Sequence, residues 1–260
     1  MKLFNLPNLL TCGNLLCGCM ATVIALTTQN LAACALWIIL GAVFDFFDGM
    51  TARALGISGP IGKELDSLAD VVTFGIAPAA IAYVLLCAAP QTAAPAHDLV
   101  HNGVDRPLGE VSPALLAFLM AAFSALRLAK FNCDTRQASS FIGLPTPANA
   151  LFWAGLPSVA VFPPFRAVLS PIILWMLVAV MSFLLVCELP MFSLKFKRGH
   201  TSWHDLGLQY TFLLLCAGAI VVGFLLSAPL ASLSLIVVIY IAMSLVAWAL
   251  GKGKASGRPA

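Results

Sequence analysis

Apolar stretches about as long as a membrane-spanning helix follow one another along most of the chain. A helix that crosses a bilayer needs about 20 predominantly apolar residues, and eight segments approach that length. These segments lie at residues 8–27, 31–55, 66–89, 113–130, 146–162, 168–187, 206–227 and 229–250. The pattern predicts an all-α protein, a polytopic membrane bundle with about eight transmembrane helices.

The composition excludes an ordinary soluble domain. Of the 260 residues, 61% are hydrophobic and only 10% are charged, with a mean hydropathy of +0.98. Soluble globular domains carry about 25% charged residues. The chain is therefore predicted to be an integral membrane protein.

Lysine and arginine are distributed unevenly between the two sides of the predicted bundle. With the N-terminus inside, twelve of the 14 fall on the cytoplasmic side, and only Arg106 and Arg166 fall outside. Cytoplasmic loops of membrane proteins carry an excess of these residues. The distribution predicts a protein of the cytoplasmic (inner) membrane with both termini in the cytoplasm.

Four aspartates lie within or near the ends of two predicted helices: Asp45, Asp48, Asp66 and Asp70. On insertion scales an ionised acid at a helix centre costs roughly 2.5–3.5 kcal/mol. Four of them would cost on the order of 10 kcal/mol if nothing compensated them. Bound cations are the simplest compensation, so the acids predict a metal site on the cytoplasmic side.

Helical spacing places these acids beside small residues. At about 100° per residue, each of the two helices carries two acids and at least one small residue on one face. The two faces consist of Asp45, Asp48, Gly49 and Ala52, and of Gly62, Asp66 and Asp70. If the faces meet, four carboxylates converge beside open space, which suits hard divalent cations and a phosphate-bearing ligand.

A plainer interpretation places the same acids in salt bridges at helix ends. Arg53 and Lys63 are the nearest bases along the chain. Two bases do not neutralise four acids, and we therefore favour the cation site.

The acids also belong to a longer pattern, Asp-x-x-Asp-Gly-x-x-Ala-Arg, eight residues, Gly-x-x-x-Asp-x-x-x-Asp, at positions 45–70. This pattern resembles the signature of the CDP-alcohol phosphatidyltransferases, with every fixed position and every gap matching. The resemblance implies a reaction in which an alcohol displaces CMP from a CDP-linked lipid. The lysine and arginine distribution further predicts that this active site faces the cytoplasm.

The resemblance implies roles for individual residues as well. Two divalent ions, Mg²⁺ or Mn²⁺, would be held by Asp45, Asp48, Asp66 and Asp70. Asp70 would in addition act as the general base. The residues implied at the cytidine end of the CDP-lipid are Gly49, Ala52, Arg53 and Gly62.

A second pattern follows the fourth predicted helix, with Arg-Leu-Ala-Lys-Phe-Asn at 127–132 and Phe-Ile-Gly-Leu-Pro-Thr-Pro-Ala-Asn at 141–149. It resembles the membrane-embedded phosphatidylserine synthases and implies L-serine as the acceptor. The candidate acceptor-binding residues are Arg127, Lys130, Asn132, Arg136 and Gln137. An arginine fork suits the serine carboxylate best. The alternative is that these bases only mark the cytoplasmic side or contact lipid phosphates.

The expected partners are CDP-diacylglycerol, L-serine and membrane lipids, with a homodimer plausible and no nucleic acid. We predict a single membrane domain over residues 1–260. Its catalytic core is placed at about 1–190, and two additional C-terminal helices at about 206–250.

Several rival functions stay open at this point. The first alternative acceptor is glycerol 3-phosphate, which would make the protein a phosphatidylglycerophosphate synthase. Inositol phosphate and choline are weaker options. From a different class, a cation transporter also uses intramembrane acids. A catalytically silent lipid-binding homologue is a third possibility, against which the intact acid set argues.

Overall fold

The computed structural model describes residues 4–57, 59–88, 113–133, 141–160, 162, 169–191 and 203–249. Within these ranges the chain is helical apart from short connections and two strands of two residues each. The prediction of an all-α membrane bundle is confirmed. Five helical segments are long and apolar enough to cross a membrane, and residues 171–186 and 209–225 form shorter apolar helices.

The first half of the chain contains four helices and one π-helical segment. These are α1 (Leu6–Thr28), α2 (Leu31–Leu55), α3 (Pro60–Asp70), the π segment (Val71–Ile76) and α4 (Ala77–Ala88). Since α3, the π segment and α4 are continuous, they form one segment of 29 residues. The predicted third segment therefore began too late, at Asp66 instead of Pro60.

The second half contains a 3₁₀ turn, five helices and two strands. These are the turn Pro113–Phe118, α5 (Leu119–Cys133), β1 (Phe141–Ile142), α6 (Thr146–Val159), α7 (Pro171–Val186), β2 (Pro190–Met191), α8 (Trp203–Leu225) and α9 (Ala231–Ala249). The strands pair antiparallel, with Phe141 opposite Met191. Each of the eight predicted segments overlaps one helical segment.

Local sequence signals set the ends of α1 and α2. The Asn5 side chain accepts a hydrogen bond from the Asn8 amide at 2.8 Å, and Pro7 lies in the first turn of α1. The Asn30 side chain accepts from the Ala33 amide at 3.0 Å. Gly56 ends α2 with a φ of +63°, a left-handed conformation that glycine adopts without strain. The two asparagine caps satisfy free amides at the helix starts, and the Gly56 amide bonds carbonyl oxygens at the end of α2.

The core lies where α1, α2, α5 and α6 surround the π segment, with α7 packed against α4 and α5. Its largest fully buried side chains include Trp153, Phe74, Ile38 and Ile81. Glycines permit the closest helix contacts: a Cβ on Gly18 would lie 2.7 Å from the Thr73 backbone nitrogen. Membrane helices associate through such small residues, because lipid provides no hydrophobic driving force between them. This packing holds α1 against the end of α3.

The two C-terminal helices are not separate from this bundle, because α9 packs along α6. The division into a catalytic core and two additional helices stays a prediction.

Candidate functional site: a carboxylate cluster between α2 and α3

Three of the predicted metal ligands meet between α2 and α3. Asp45, Asp48 and Asp66 each offer one carboxylate oxygen, and these oxygens all lie within 4.8 Å of one another. Oxygens that bind one cation at 2.0–2.6 Å lie at most about 5 Å apart. The two helix faces predicted from the spacing therefore do converge.

The fourth aspartate lies beside this cluster. Asp70 is 8% exposed, and its carboxyl group interacts directly with that of Asp45. Because Asp70 is the last residue of α3, it lies one turn deeper in the bundle than Asp66. Its position, buried and next to the cluster, differs from that of the half-buried Asp45 and Asp66.

The donor set fits a hard divalent cation. Carboxylate oxygens are the ligands that Mg²⁺ and Mn²⁺ prefer. Among the described residues, the buried Oδ1 of Asp66 has no hydrogen-bond partner. A buried polar atom of this kind normally has a partner, and a cation bound by the cluster would supply it.

Polar residues of α1 hold two of the carboxylates in place. The Thr11 hydroxyl donates a hydrogen bond to Asp48 Oδ2 at 2.6 Å. The Asn14 Nδ2 donates to Asp70 Oδ1 at 3.1 Å, and the Thr73 hydroxyl donates to the Asn14 carbonyl oxygen at 2.8 Å. Sequence reasoning missed Thr11 and Asn14 as part of the site. Their spacing of three residues, shared with Asn8, was the available signal, since it puts all three on neighbouring positions of one helix face.

The small residues leave room beside the acids. A Cβ on Gly62 would meet only Asn8 Oδ1, at 3.5 Å, and a Cβ on Gly49 would meet only the Arg53 guanidinium, from 3.4 Å. Ala52 is half-buried on the same face of α2. The space predicted beside the carboxylates is present.

The nearby bases do not neutralise the cluster by ion pairing. The Lys63 ammonium donates to the Asn132 carbonyl oxygen at 2.9 Å, away from the acids. Arg53 is exposed and acts on Asp48 only at longer range. In the described part of the chain, neither base forms a salt bridge with the four aspartates. The structure thus favours the cation site over helix-end salt bridges.

Among the described acceptor-binding candidates, Arg127 is the one that is buried and interacts electrostatically with this centre. Its side chain is 6% exposed and within electrostatic range of the Asp70 carboxylate. Its Nη1 donates a long hydrogen bond of 3.4 Å to the Thr146 hydroxyl, and its guanidinium carbon lies 5.8 Å from the centre of the Phe131 ring. Its Nε has no partner among the described residues.

Two other predicted acceptor residues, Lys130 and Asn132, bond other side chains of the protein. The Lys130 ammonium forms a salt bridge of 3.0 Å with Glu188, and Asn132 Nδ2 donates to the Ser67 hydroxyl at 2.8 Å. Both side chains thus have protein partners at the helix ends. Arg136 and Gln137 fall outside the described residues.

Three buried polar side chains near Arg127, those of Ser124, Asn149 and Trp153, were not predicted as acceptor-binding residues. Ser124 lies one turn before Arg127 on α5, and Asn149 and Trp153 lie on the Thr146 face of α6. All three are fully buried, and the Ser124 hydroxyl, both ends of the Asn149 amide and the Trp153 Nε1 have no hydrogen-bond partner in the described part of the chain. Unsatisfied buried polar groups are rare and call for a ligand or an ordered water. No periodicity distinguishes these residues from ordinary core positions.

Sequence comparison identifies the family to which this site belongs. The family model described as CDP-alcohol phosphatidyltransferase matches residues 4–186, well over half of the chain. The chain belongs to the CDP-alcohol phosphatidyltransferase family. Members of this family in general depend on divalent metal ions, in agreement with the carboxylate cluster. Membership does not favour the alternative of a cation transporter.

Relatives within the CDP-alcohol phosphatidyltransferase family share a third of the aligned residues. A Bacillus subtilis protein is 36% identical over 142 residues, which are 55% of this chain and 69% of that protein. A Helicobacter pylori protein is 35% identical over 152 residues (57% and 55%), and one from Methanocaldococcus jannaschii is 33% identical over 154 residues (59% and 61%). Each is named CDP-diacylglycerol–serine O-phosphatidyltransferase. The match thus covers about half to two thirds of the length of these relatives.

Proposed function

We propose that this enzyme transfers the phosphatidyl group of CDP-diacylglycerol to the hydroxyl of L-serine, giving phosphatidylserine and CMP. The observation that carries the proposal is the convergence of Asp45, Asp48 and Asp66 on one point, with Asp70 and Arg127 beside it. The names of the relatives support serine as the acceptor.

The carboxylate cluster would hold the metal ions. Asp45, Asp48 and Asp66, with Asp70 contributing, would bind two divalent ions, Mg²⁺ or Mn²⁺. When bound, the ions offset the negative charge of the diphosphate and stabilise the departing CMP. Thr11 fixes the orientation of the Asp48 carboxylate through its 2.6 Å hydrogen bond, as supporting residues commonly do at metal sites.

The space around the small residues would receive the cytidine end of the donor. Gly49, Ala52 and Gly62 border it, and the exposed Arg53 guanidinium lies at its edge. The diacylglycerol tails would stay in the lipid that surrounds the bundle. A donor of this kind keeps its headgroup at the cytoplasmic surface, where the basic residues concentrate.

Asp70 would be the general base. The serine hydroxyl oxygen bonds to the phosphorus that carries diacylglycerol, and the bond from that phosphorus to the CMP oxygen breaks. The hydroxyl proton passes to the Asp70 carboxylate, whose orientation is fixed by the 3.1 Å hydrogen bond from Asn14. Proton removal by a positioned base contributes about 10²–10⁴-fold to a rate. No covalent enzyme intermediate is needed.

Arg127 would bind the carboxylate of serine. It is buried, it lies within electrostatic range of Asp70, and its Nε has no partner among the described residues. The Asn149 amide oxygen and the Ser124 hydroxyl would accept from the serine ammonium. A site built to pair such groups rejects analogues that lack them, because its own buried groups are then left unpaired.

We also propose an orientation and an assembly for the enzyme. The twelve bases of the inner loops support a cytoplasmic active site with both termini inside. The many large apolar side chains exposed on α8, among them Leu214, Phe224 and Leu225, contact lipid or a second copy. A homodimer is therefore compatible with the bundle.

The acceptor is tested with a panel of alcohols. Purified enzyme in detergent receives CDP-diacylglycerol, Mg²⁺ or Mn²⁺ and one alcohol, and CMP release is measured. We expect release with L-serine and loss of that release with EDTA. Release with glycerol 3-phosphate alone would contradict the serine assignment and favour a phosphatidylglycerophosphate synthase.

The assignment of Arg127 is tested by the two Michaelis constants. Arg127→Gln removes the charge and leaves a shorter polar side chain with an amide donor. We expect the KM for serine to rise by about tenfold or more, the range for a lost hydrogen bond to a charged group, with a smaller change in the KM for CDP-diacylglycerol. An unchanged serine KM would place the carboxylate contact elsewhere.

A further inference from the structure

Helix α9 is docked on α6 in a defined register. The Ser234 hydroxyl donates a hydrogen bond of 2.6 Å to the Phe152 carbonyl oxygen. One turn further along α6, a Cβ on Gly155 would lie 2.6 Å from the Leu230 carbonyl oxygen, so only glycine fits there. Moving toward the C-terminus of α6 therefore means moving toward the N-terminus of α9, so the two helices run antiparallel.

This register brings Tyr240 to the level of Arg127. Tyr240 lies six residues after Ser234, and Thr146 lies six residues before Phe152. At 1.5 Å per residue both steps cover about 9 Å in the same direction. Thr146 is the residue that accepts the hydrogen bond from Arg127 Nη1. In agreement with this count, Arg127 and Tyr240 lie within electrostatic range of each other.

Tyr240 is held firmly at this place. Its ring packs against the core, and it meets the Phe212 ring of α8 edge-on, with 6.0 Å between the ring centres. A phenol oxygen accepts hydrogen bonds, and the guanidinium of Arg127 has more N–H donors than its described partners use. A rigid aromatic residue beside a buried arginine limits the directions in which the guanidinium fork points.

We propose that Tyr240 is a positioning residue of the acceptor site, which acts by orienting Arg127 toward the carboxylate of the acceptor. The inference rests on the proposed serine transfer and extends it to α8 and α9. Both helices lie beyond residues 4–186, the part that the family model matches. The two C-terminal helices thereby take part in acceptor recognition.

The experiment compares two tyrosine-to-phenylalanine variants in the same assay. Tyr240→Phe keeps the ring and removes the hydroxyl near Arg127. Tyr210→Phe makes the same change on α8 at a residue that is 62% exposed, and serves as the control. We expect Tyr240→Phe to raise the serine KM by about tenfold, because a misoriented guanidinium would form one hydrogen bond fewer with the serine carboxylate, with the KM for CDP-diacylglycerol and the melting temperature unchanged. Tyr210→Phe should match the wild type.

A double-mutant cycle shows whether Tyr240 acts through Arg127. If it does, Tyr240→Phe adds little to the serine KM of Arg127→Lys, because the two residues work as one unit. Fully additive effects, or a serine KM in Tyr240→Phe equal to that of the wild type, would overturn the inference. A lower melting temperature with both KM values changed alike would reduce Tyr240 to a packing residue and overturn it as well.

The same assay separates this inference from the proposed function. If the wild type releases CMP with serine and the serine KM of Tyr240→Phe equals that of the wild type, only the proposed role of Tyr240 is contradicted. If the wild type releases no CMP with serine, the proposed function is contradicted, and the inference that rests on it is contradicted as well.

Discussion

Two polar side chains on α1 determine how the carboxylates are presented. Thr11 bonds Asp48 and Asn14 bonds Asp70, so a helix without acids of its own orients acids on its two neighbours. In a low-dielectric surrounding such hydrogen bonds are stronger than in water, and their loss costs more. The proposed metal site therefore depends on α1 as well as on α2 and α3.

Thr11→Val tests this dependence on α1. The change keeps the shape of the side chain and removes the 2.6 Å hydrogen bond to Asp48. We expect the Mg²⁺ or Mn²⁺ concentration for half-maximal activity to rise by about tenfold, since supporting residues at metal sites change affinity by this order. Thr22→Val on the same helix is the control, because Thr22 bonds only the Gly18 carbonyl oxygen, at 2.9 Å. Equal metal requirements in both variants would contradict the role of Thr11.

The candidate site was predictable from the sequence wherever spacing within one helix carried the information. Asp45 and Asp48, and Asp66 and Asp70, share helix faces whatever surrounds them. Thr11, Asn149 and Tyr240 were not predictable as site residues, because their roles depend on which helices become neighbours. The salt bridge of Lys130 was not predictable for the same reason, since its partner Glu188 lies 58 residues away in the sequence.

At the scale of elements, the π segment Val71–Ile76 is the feature that joins the site to the core. It follows Asp70 directly, and its Thr73 is enclosed by α1 and α2 at Gly18 and Gly41. Wider helical turns of this kind occur frequently at functional sites. The segment continues the chain from the polar α3 into the apolar α4, and its packing against α1 and α2 holds the end of α3, with Asp70, inside the bundle.

Gly18→Ala tests the contact between α1 and the π segment. A Cβ at this position would lie 2.7 Å from the Thr73 backbone, so α1 and the π segment must separate. Overpacking of this kind costs about 1–3 kcal/mol. We expect a lower melting temperature and a strong loss of CMP release. Gly218→Ala on α8 is the control, because nothing lies within 4 Å of the added atom. A normal melting temperature and full activity in Gly18→Ala would contradict the proposed packing.

Helices were predicted where hydropathy and caps agree, and misplaced where they do not. The predicted segment 31–55 agrees with the observed bounds of α2, Leu31–Leu55, since Asn30 and Gly56 flank an apolar run. The start of α3 was missed because its first turns carry Gly62, Lys63 and Glu64, which lower the local hydropathy. The π segment has no sequence signature in an apolar run, and the two-residue strands are too short for one.

At the scale of the whole molecule, the orientation in the membrane connects the fold to the reaction. In the proposed orientation the two substrates, a lipid with a nucleotide headgroup and a soluble amino acid, would meet at the cytoplasmic surface. The charge distribution predicts that Cys133, at the exposed end of α5, faces the cytoplasm. The turn between α8 and α9, which contains the exposed Ser227, is predicted on the opposite side.

Cysteine labelling tests this orientation. In a background with the other cysteines replaced, we expect a membrane-impermeant maleimide to label Cys133 in inverted vesicles and not in right-side-out vesicles. Ser227→Cys in a background without Cys133 is the matched control and should show the reverse. Labelling of Cys133 from the outside would contradict the cytoplasmic site.

The central claim, phosphatidyl transfer at the carboxylate cluster, is tested most directly by serine-dependent CMP release in Asp70→Asn. The control is Glu64→Gln, the same carboxylate-to-amide change at an exposed residue of the same helix. With CDP-diacylglycerol, metal and L-serine, the account predicts a fall of about 10²–10⁴-fold in Asp70→Asn, the contribution of a general base. It predicts a normal rate in Glu64→Gln. A normal rate in Asp70→Asn, or an equal loss in both variants, would contradict the account.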